Sequence, residues 1–514
     1  MKTIRVLMMM MAAVAVIGFQ SCKDDVNDII DDGNGNLDTY LTVNIDIPNG
    51  SSSLRSAEYS GTEEAGQPDE YKVTSTYLYF FDSTNKYVTT VSFTGPEIIL
   101  PTTASGENRV LVTAKKNVAL TRGATYNAYA IVNGQSNNVT LSSSTTEDDF
   151  LKGNKLADVA TSVSPTIPSN GFVMASRTPD GASSSSPFVS LTISTLNNVD
   201  NPANLKMSVE RTVGKLMLSA NTSDNKYQIL DGSSNLVADV ELSQYAVVNA
   251  MKNSFTFRHT AAVGQVNQAA PLYQYGHIIT GTSDYLMDPL THEKTITDIT
   301  NYSKWTGEYI NHASTITGAA SVTTAMPTTA NVVLGYCYEN ATEQTAQKNG
   351  YSTGIIFKAT VVPAANQIWE KTGPTTLAPT SIAAGVSFYH CEGKLYKDVD
   401  AVMVDYPAIP AGTSNLNLKT VYDVDYLENG VCYYKYWIKH EDNLNPAGDP
   451  VMGIMEYSIV RNNVYKMKVT GINSIGSGVP PIDPEDDNET TNVYLKMEMT
   501  ILPWIVRSQE DIKL

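Results

Sequence analysis

Two stretches near opposite ends of the chain alternate apolar and polar residues with period two. Near the N-terminus, Leu37, Leu41, Val43, Ile45 and Ile47 are spaced by Asp38, Tyr40, Thr42, Asn44 and Asp46. Near the C-terminus, Val493, Leu495, Met497, Met499 and Ile501 are spaced by Tyr494, Lys496, Glu498 and Thr500. Successive side chains of a strand point to opposite faces, so each stretch predicts a strand with one buried face. Pro503 lacks an N–H and suits a bulge or an edge; a second apolar step, Trp504 and Val506, follows it. The acidic, proline-rich run 479–489 ahead of the terminal strand reads as a leash. On pattern alone the terminal strand either closes its own sheet or pairs with another molecule, and sequential strands tend to pair locally.

Between these ends the rhythm is that of an all-β protein. Strands are expected at 73–82, 87–93, 108–113, 126–132, 172–175 and 188–193, punctuated by Gly, Asn and Pro. One helix is expected over 146–158, capped by Thr145 or Thr146, with Glu147, Asp148 and Asp149 in its first turn. The Asn/Asp/Pro stretch 197–204 reads as a linker, which places a domain boundary near 205. Strands resume at 207–218 and recur at 331–338, 354–362, 396–403, 431–439 and 458–469. Residues 270–325 lack periodicity and read as an insertion of loops with short elements. Residues 23–36 are acidic and Gly/Asn-rich, a solvated tether.

Composition narrows the class. Hydrophobic residues make up 42% and charged residues only 17%, with many Ser, Thr, Asn and Tyr, which suits an extracellular β protein. A net charge of −18 argues against nucleic-acid binding, which needs a basic footprint. Lys2 and Arg5 followed by the apolar run 7–19 form a signal segment too short to span a bilayer. It closes on Cys22, which resembles the acylated cysteine of a bacterial lipobox, and Lys23-Asp24-Asp25 resembles a surface-export signal. The alternative is an ordinary signal peptide with an incidental cysteine. Cys337, Cys391 and Cys432 are odd in number and sit in β-like contexts, so buried free thiols are expected. Leu54, Arg55 and Ser56 lie in a polar, small-residue stretch accessible to a protease.

Several segments in order resemble the Bacteroidales fimbrillins, the major subunits of type V pili of the FimA and Mfa kind. They are Val209–Lys215, Cys337–Asn340 with Gly354–Lys358, Val431–Tyr434 with Ile438–His440, Arg461–Tyr465 with its flanks, and Leu502–Gln509. Length and insertion size are closer to the Mfa type. The resemblance implies two transthyretin-like β-sandwich domains with short helices and loop insertions. It implies a signal peptide over 1–21, a propeptide over 22–55, domains over 56–205 and 206–489, and a C-terminal donor strand over 490–514. It further implies acylation at Cys22 and export to the outer membrane. An Arg-specific, trypsin-like protease would then cut between Arg55 and Ser56. The strand 37–47 would be lost, and the terminal strand of another copy would fill the groove. Tip and anchor proteins would be accessory partners; no cofactor is implied, and the surface ligand is not indicated.

The physics of such an exchange is sound. Losing a strand exposes unpaired backbone and an apolar trough, which a strand of the same alternation restores. Five apolar side chains at roughly 1.5–3 kcal/mol each give about 8–15 kcal/mol before entropic costs. Residues 1–55 carry four basic and seven acidic groups, a net of −3, so the cut chain would keep −15.

Gly350-Tyr351-Ser352-Thr353-Gly354 matches the G-x-S-x-G nucleophile elbow, but that elbow needs a helix after it. Here a strand follows, so a turn is expected. The six His are scattered and form no metal motif; His440-Glu441-Asp442 reads as a loop after a strand. Asp483 to Glu489 lacks the Gly and spacing of a calcium loop. No catalytic residue and no metal ligand is assigned, and the chain is expected not to be an enzyme. Two other readings stay open: a tip or anchor subunit of the same pilus, and a surface glycan-binding lipoprotein using its many Tyr.

Overall fold

The computed structural model describes residues 39–46, 64–99, 109–136, 138–156, 163–177, 187–262, 273–275, 284–289, 306–341, 347–440, 452–453, 455–480, 483–489 and 494–505. The fold is all-β. Its first part contains β1 (Thr39–Asp46), β2 (Glu64–Ala65), β3 (Ser75–Phe81), β4 (Tyr87–Thr94), β5 (Arg109–Val118), β6 (Thr125–Val132), β7 (Met174–Ser176), β8 (Val189–Thr192) and β9 (Ala203–Arg211). All but β2 form one sheet, in the order β4-β3-β6-β7-β9-β1-β5, with β8 added along β6. Leu78 and Phe80 of β3, Val91 and Phe93 of β4, Leu41, Val43 and Ile45 of β1, and Leu205 and Met207 of β9 share one core. Strands from both ends of the sheet feed that core, so the sheet curls over itself.

The outer face of β3 is also buried. Tyr79 and Phe81 pack with Tyr129 of β6 and with Phe150 and Leu151 of helix α1 (Glu147–Gly153). Thr146 caps α1: its hydroxyl accepts from Asp149 N–H at 3.0 Å, while the Asp149 carboxylate accepts from Thr146 N–H at 3.2 Å. That reciprocal box fixes the start as expected. The helix stops short of 158 because the Asn154 side-chain amide takes the Phe150 carbonyl, which the next helical turn would have used.

The second part contains β10 (Val213–Ala220), β11 (Lys226–Leu230), β12 (Leu236–Val248), β13 (Val332–Tyr338) and β14 (Gly354–Pro363). A lobe follows, with β15 (Ile368–Gly373), β16 (Thr376–Thr380), β17 (Phe388–Cys391), β18 (Lys394–Tyr396) and β19 (Asp425–Leu427). The chain ends in β20 (Val431–Trp437), β21 (Asn463–Ile472) and β22 (Leu495–Ile505). One sheet runs β2-β22-β21-β10-β13 and the other β11-β12-β14-β20. Leu216 and Leu218 of β10 and Tyr465, Met467 and Val469 of β21 share the second core with Val240 and Leu242 of β12, Phe357 of β14 and Tyr434 of β20. The two sheets therefore face one another as a sandwich.

Three expectations change. Residues 396–403 are not one strand: β18 ends at Tyr396, and helix α2 (Val399–Asp405) begins once the Asp398 carboxylate accepts from Ala401 N–H at 2.8 Å. Its Ala401 and Val402 pack with Leu418 of helix α3 (Asn415–Tyr422) over the lobe sheet. The expected boundary at 205 falls inside β9, which pairs with β1 and β7 through Arg211. The switch between sheets comes at Thr212. The leash is docked over its described part: Asn349 N–H donates to Asp486 C=O at 3.0 Å, Gly350 N–H to Pro484 C=O at 3.0 Å, and Asn488 N–H to Gln347 C=O at 3.1 Å. The described residues of 250–325 form short ladders, such as Ala250–Met251 with Tyr309–Ile310 and His259–Ala262 with Tyr273–Tyr275 and Asp284–Met287, and single 3-10 turns, in keeping with an insertion.

Candidate functional site

β1 is an interior strand. It runs parallel to β9 from Leu41↔Ala203 to Asp46↔Ser208, and antiparallel to β5 from Thr39↔Val118 to Asp46↔Arg109, with a bulge between Leu41 and Val43. Leu41, Val43 and Ile45 are each 0% exposed, so the alternation read from sequence is that of a fully seated strand. The Thr39 hydroxyl donates to Leu120 C=O at 2.7 Å, fixing the strand's entry. The Asn197 side chain accepts from Tyr40 N–H at 2.7 Å and donates to Tyr40 C=O at 2.9 Å. Along the outer edge, Thr42 donates to Ala203 C=O at 3.3 Å and Asn44 to the Asn204 side chain at 3.0 Å. Taking β1 away would bare the facing edges of β9 and β5 over a floor that includes Leu205, Met207 and Val118. Leu37, Ile47, Cys22, Arg55 and Ser56 lie outside the described residues.

β22 sits at the other end of the molecule's logic. It pairs along its length with β21, from Leu495↔Ile472 to Pro503↔Asn463. Among the described residues its other edge is paired only at Trp504 and Ile505, with the two residues of β2. Leu495 is buried, while Met497, Met499 and Ile501 are half-buried against the second core. Leu502 points to the opposite face and packs with Phe172, Val213, Met217 and Val464. Val493 and Val506 lie outside the described residues. The expected donor residues Leu495, Met497, Met499 and Ile501 thus share one face, but they rest on their own second sandwich and are apart from β1.

Where β9 passes into β10, buried charges tie the two halves together. Lys215 pairs with Glu70 at 2.8 Å, Arg211 donates to Glu70 C=O at 2.8 Å, and the Tyr336 hydroxyl donates to the Glu70 carboxylate at 2.6 Å. Burial alone would raise the Glu70 carboxyl, but hydrogen bonds from Lys215 and Tyr336 outweigh it and hold it below its ordinary value. Burial pulls Arg211 down to about 10 against the pull of Glu70. Beside it, Arg461 is fully buried; it pairs with Glu339 at 2.5 Å and donates to Thr256 C=O at 2.8 Å, while Arg258 pairs with Glu210 at 2.6 Å. Burial opposes the Arg461 charge, yet Glu339 and Glu210 raise its pKa overall. Charges buried this deeply persist only when paired. Sequence pattern did not mark this network; the runs of apolar neighbours around Arg211, Lys215 and Arg461 were the available signal.

The remaining candidates resolve into structure. Cys337, Cys391 and Cys432 are buried free thiols; burial pushes Cys337 and Cys432 up to about 12. His440 is buried, with Nδ1 2.8 Å from the Tyr465 hydroxyl; burial, then Arg258, lowers it to about 4. Gly350–Gly354 is a turn leading into β14, with Ser352 bonded by the Asn488 side chain, so the helix an elbow requires is replaced by a strand. Among the described residues, no group of three His, Cys, Asp or Glu is placed to hold a metal ion.

Residues 425–510 match the family model described as "Major fimbrial subunit protein type IV, Fimbrillin, C-terminal". That segment takes in β19 to β22, including the Arg461 corner. No curated protein matches the sequence. Among solved structures, a candidate cell adhesion protein from Parabacteroides distasonis is 11% identical, covering 92% of this chain and 99% of its own, with a TM-score of 0.42. A fimbrillin (fimA) from Porphyromonas gingivalis is 14% identical, covering 91% and 99%, with a TM-score of 0.38. The tip fimbrial protein Mfa3 from the same species, truncated at its C-terminus, is 13% identical, covering 91% and 100%, with a TM-score of 0.36. The functional inference rests on the family model and on the geometry, not on these likenesses.

Proposed function

We propose that this chain, whose C-terminal segment is that of a fimbrillin, is a structural shaft subunit of a cell-surface fimbria that polymerises by strand exchange. The fimbrillin match points to a structural protein and not to an enzyme. One observation carries the exchange: β1 is the first described strand, yet it lies inside its sheet, between β9 and β5, rather than at an edge. An interior strand at one end of the chain can be lost to a single cut and leave an acceptor groove flanked on both sides. The supply of a replacement is favoured by β22, which has one face of Leu495, Met497, Met499 and Ile501 and a largely open edge. A cut between Arg55 and Ser56 falls between β1 and β2 and so releases the one without the other.

In this reading Cys22 anchors the precursor to the outer membrane, an Arg-specific protease trims it, and tip and anchor proteins cap the fibre. N-terminal sequencing of sheared surface fibres should give Ser56. An acylated Cys22 in the fibre fraction would instead mark an anchor subunit. Deleting residues 490–514 should leave an exported, folded monomer; fibres from that truncation would overturn the donor role of β22.

A further inference from the structure

We infer that Asn197 is a backbone-reading clamp that fixes the register of whichever strand occupies the groove between β9 and β5. This rests on the strand-exchange reading and deepens it. Asn197 lies in the Asn/Asp/Pro stretch expected to be a mere linker, yet it is 1% exposed. Its amide takes both the N–H and the C=O of Tyr40, at 2.7 and 2.9 Å. The β9 ladder begins only one residue later, at Leu41↔Ala203. Asn197 therefore extends the β9 edge by one residue, using a side chain where the main chain is absent.

The clamp is held in place independently of β1. Asn197 N–H donates to Ser194 C=O at 3.0 Å, and Leu196 N–H to the Ser194 hydroxyl at 3.1 Å. Just beyond, Asn201 N–H donates to the Asn198 side chain at 2.9 Å. These turns survive the loss of β1, so the amide stays aimed into the groove with the two bonds to Tyr40 vacated. A carboxamide that binds an N–H and a C=O of one residue is indifferent to that residue's side chain but rejects proline, which has no N–H.

The β5 ladder limits how β22 can enter. In β1 the residues that bond toward β9 and Asn197 are Tyr40 and its even neighbours, because N–H and C=O of one residue share a side. Leu41, Val43 and Ile45 point into the core and bond toward β5. A donor frame with Met499 at the Leu41 position puts Pro503 at Ile45, opposite Val110, where the ladder needs an N–H. Three frames keep Pro503 beyond Ile45: Val493, Leu495 or Met497 at the Leu41 position, with Asn492, Tyr494 or Lys496 respectively in the clamp. Each presents apolar residues at all three inward positions.

The test uses the Arg-cleaved, still monomeric subunit and a synthetic peptide of residues 490–510, followed by fluorescence anisotropy. Asn197→Ala should weaken peptide binding by about ten- to a hundredfold, the loss of two hydrogen bonds. Peptides N-methylated at Asn492, at Tyr494 or at Lys496 then read the frame. At the clamped residue, methylation should weaken binding about tenfold to the wild type and leave binding to Asn197→Ala unchanged. If methylation at all three positions acts equally on wild type and variant, or is silent on the wild type, the clamp is wrong while exchange stands. The wild-type methylation series decides even where Asn197→Ala fails to fold. A wild-type subunit that binds no peptide at all overturns strand exchange itself.

Discussion

Strand exchange predicts that one core substitution matters before assembly and not after it. Leu41→Ala removes a side chain that is 0% exposed in the first core, between Ala203 of β9 and Lys116 of β5. Burial that complete leaves no route for water to relieve the cavity, so the loss should be about 3 kcal/mol, within the roughly 2–5 kcal/mol of such truncations. With a urea dependence of about 2 kcal/mol/M, the unfolding midpoint of the uncut chain should fall by about 1.5 M. Fibres assembled from the same variant no longer contain β1, because their groove holds β22 of a neighbour. They should dissociate at the wild-type temperature in detergent. The measurement pairs urea unfolding of the precursor, followed by tryptophan fluorescence, with heat dissociation of purified fibres. Variant fibres weakened in step with the precursor would show that β1 persists in the polymer and would refute the reasoning.

The junction should behave differently. Arg461→Met leaves Glu339 and Glu210 buried beside an apolar side chain and should destabilise by about 3–5 kcal/mol in precursor and fibre alike, read by thermal unfolding; adding Glu339→Gln should return part of the loss. His440 gives a pH dependence with a definite sign. Its folded pKa of about 4 lies below the unfolded value, so the unfolded chain takes up a proton first. The stability is whole above about pH 6.5 and is lost as pH falls toward 4, amounting to about 2 kcal/mol between pH 7.5 and 5. Urea unfolding at those two pH values, with His440→Gln flattening the difference, checks it.

Much of the proposed exchange machinery was legible because it is written in side-chain alternation. Leu41, Val43 and Ile45 show period two since their strand has one apolar face, and Leu495 to Ile501 show it for the same reason. Which neighbours those strands take was not legible: β1 finds β9 and β5 far along the chain, and long-range pairing leaves no local mark. Elements held by backbone groups were equally silent. Residues 483–489 look like a solvated leash because their charges face water, yet Asp483, Pro484 and Asp486 are gripped through their carbonyls by the 349–350 turn. Asn197 was hidden the same way, as a single buried amide among exposed Asn and Asp. The α2 segment misled because Val399 and Val402 favour strands locally, whereas the Asp398 cap starts a helix.

The two seats that the proposed exchange gives β22 differ in a way that would set its direction. At home, β22 has one full partner, β21, and a two-residue contact with β2. Met497, Met499 and Ile501 are half-buried there. In the groove, a strand in the place of β1 has partners on both edges, and its three inward positions are wholly buried, as Leu41, Val43 and Ile45 are. Moving three side chains from half to full burial is worth roughly 2–4 kcal/mol, and each added ladder bond about 0.5–1.5 kcal/mol. While β1 is in place, none of that gain is open to β22, because the better seat is taken. On the proposed exchange, the cut needs no new contact to promote assembly: it would vacate a site that buries β22 more fully than the one it already occupies. A precursor made uncleavable by Arg55→Ala should accordingly stay monomeric at concentrations where the cut subunit polymerises, and light scattering of the two side by side decides it.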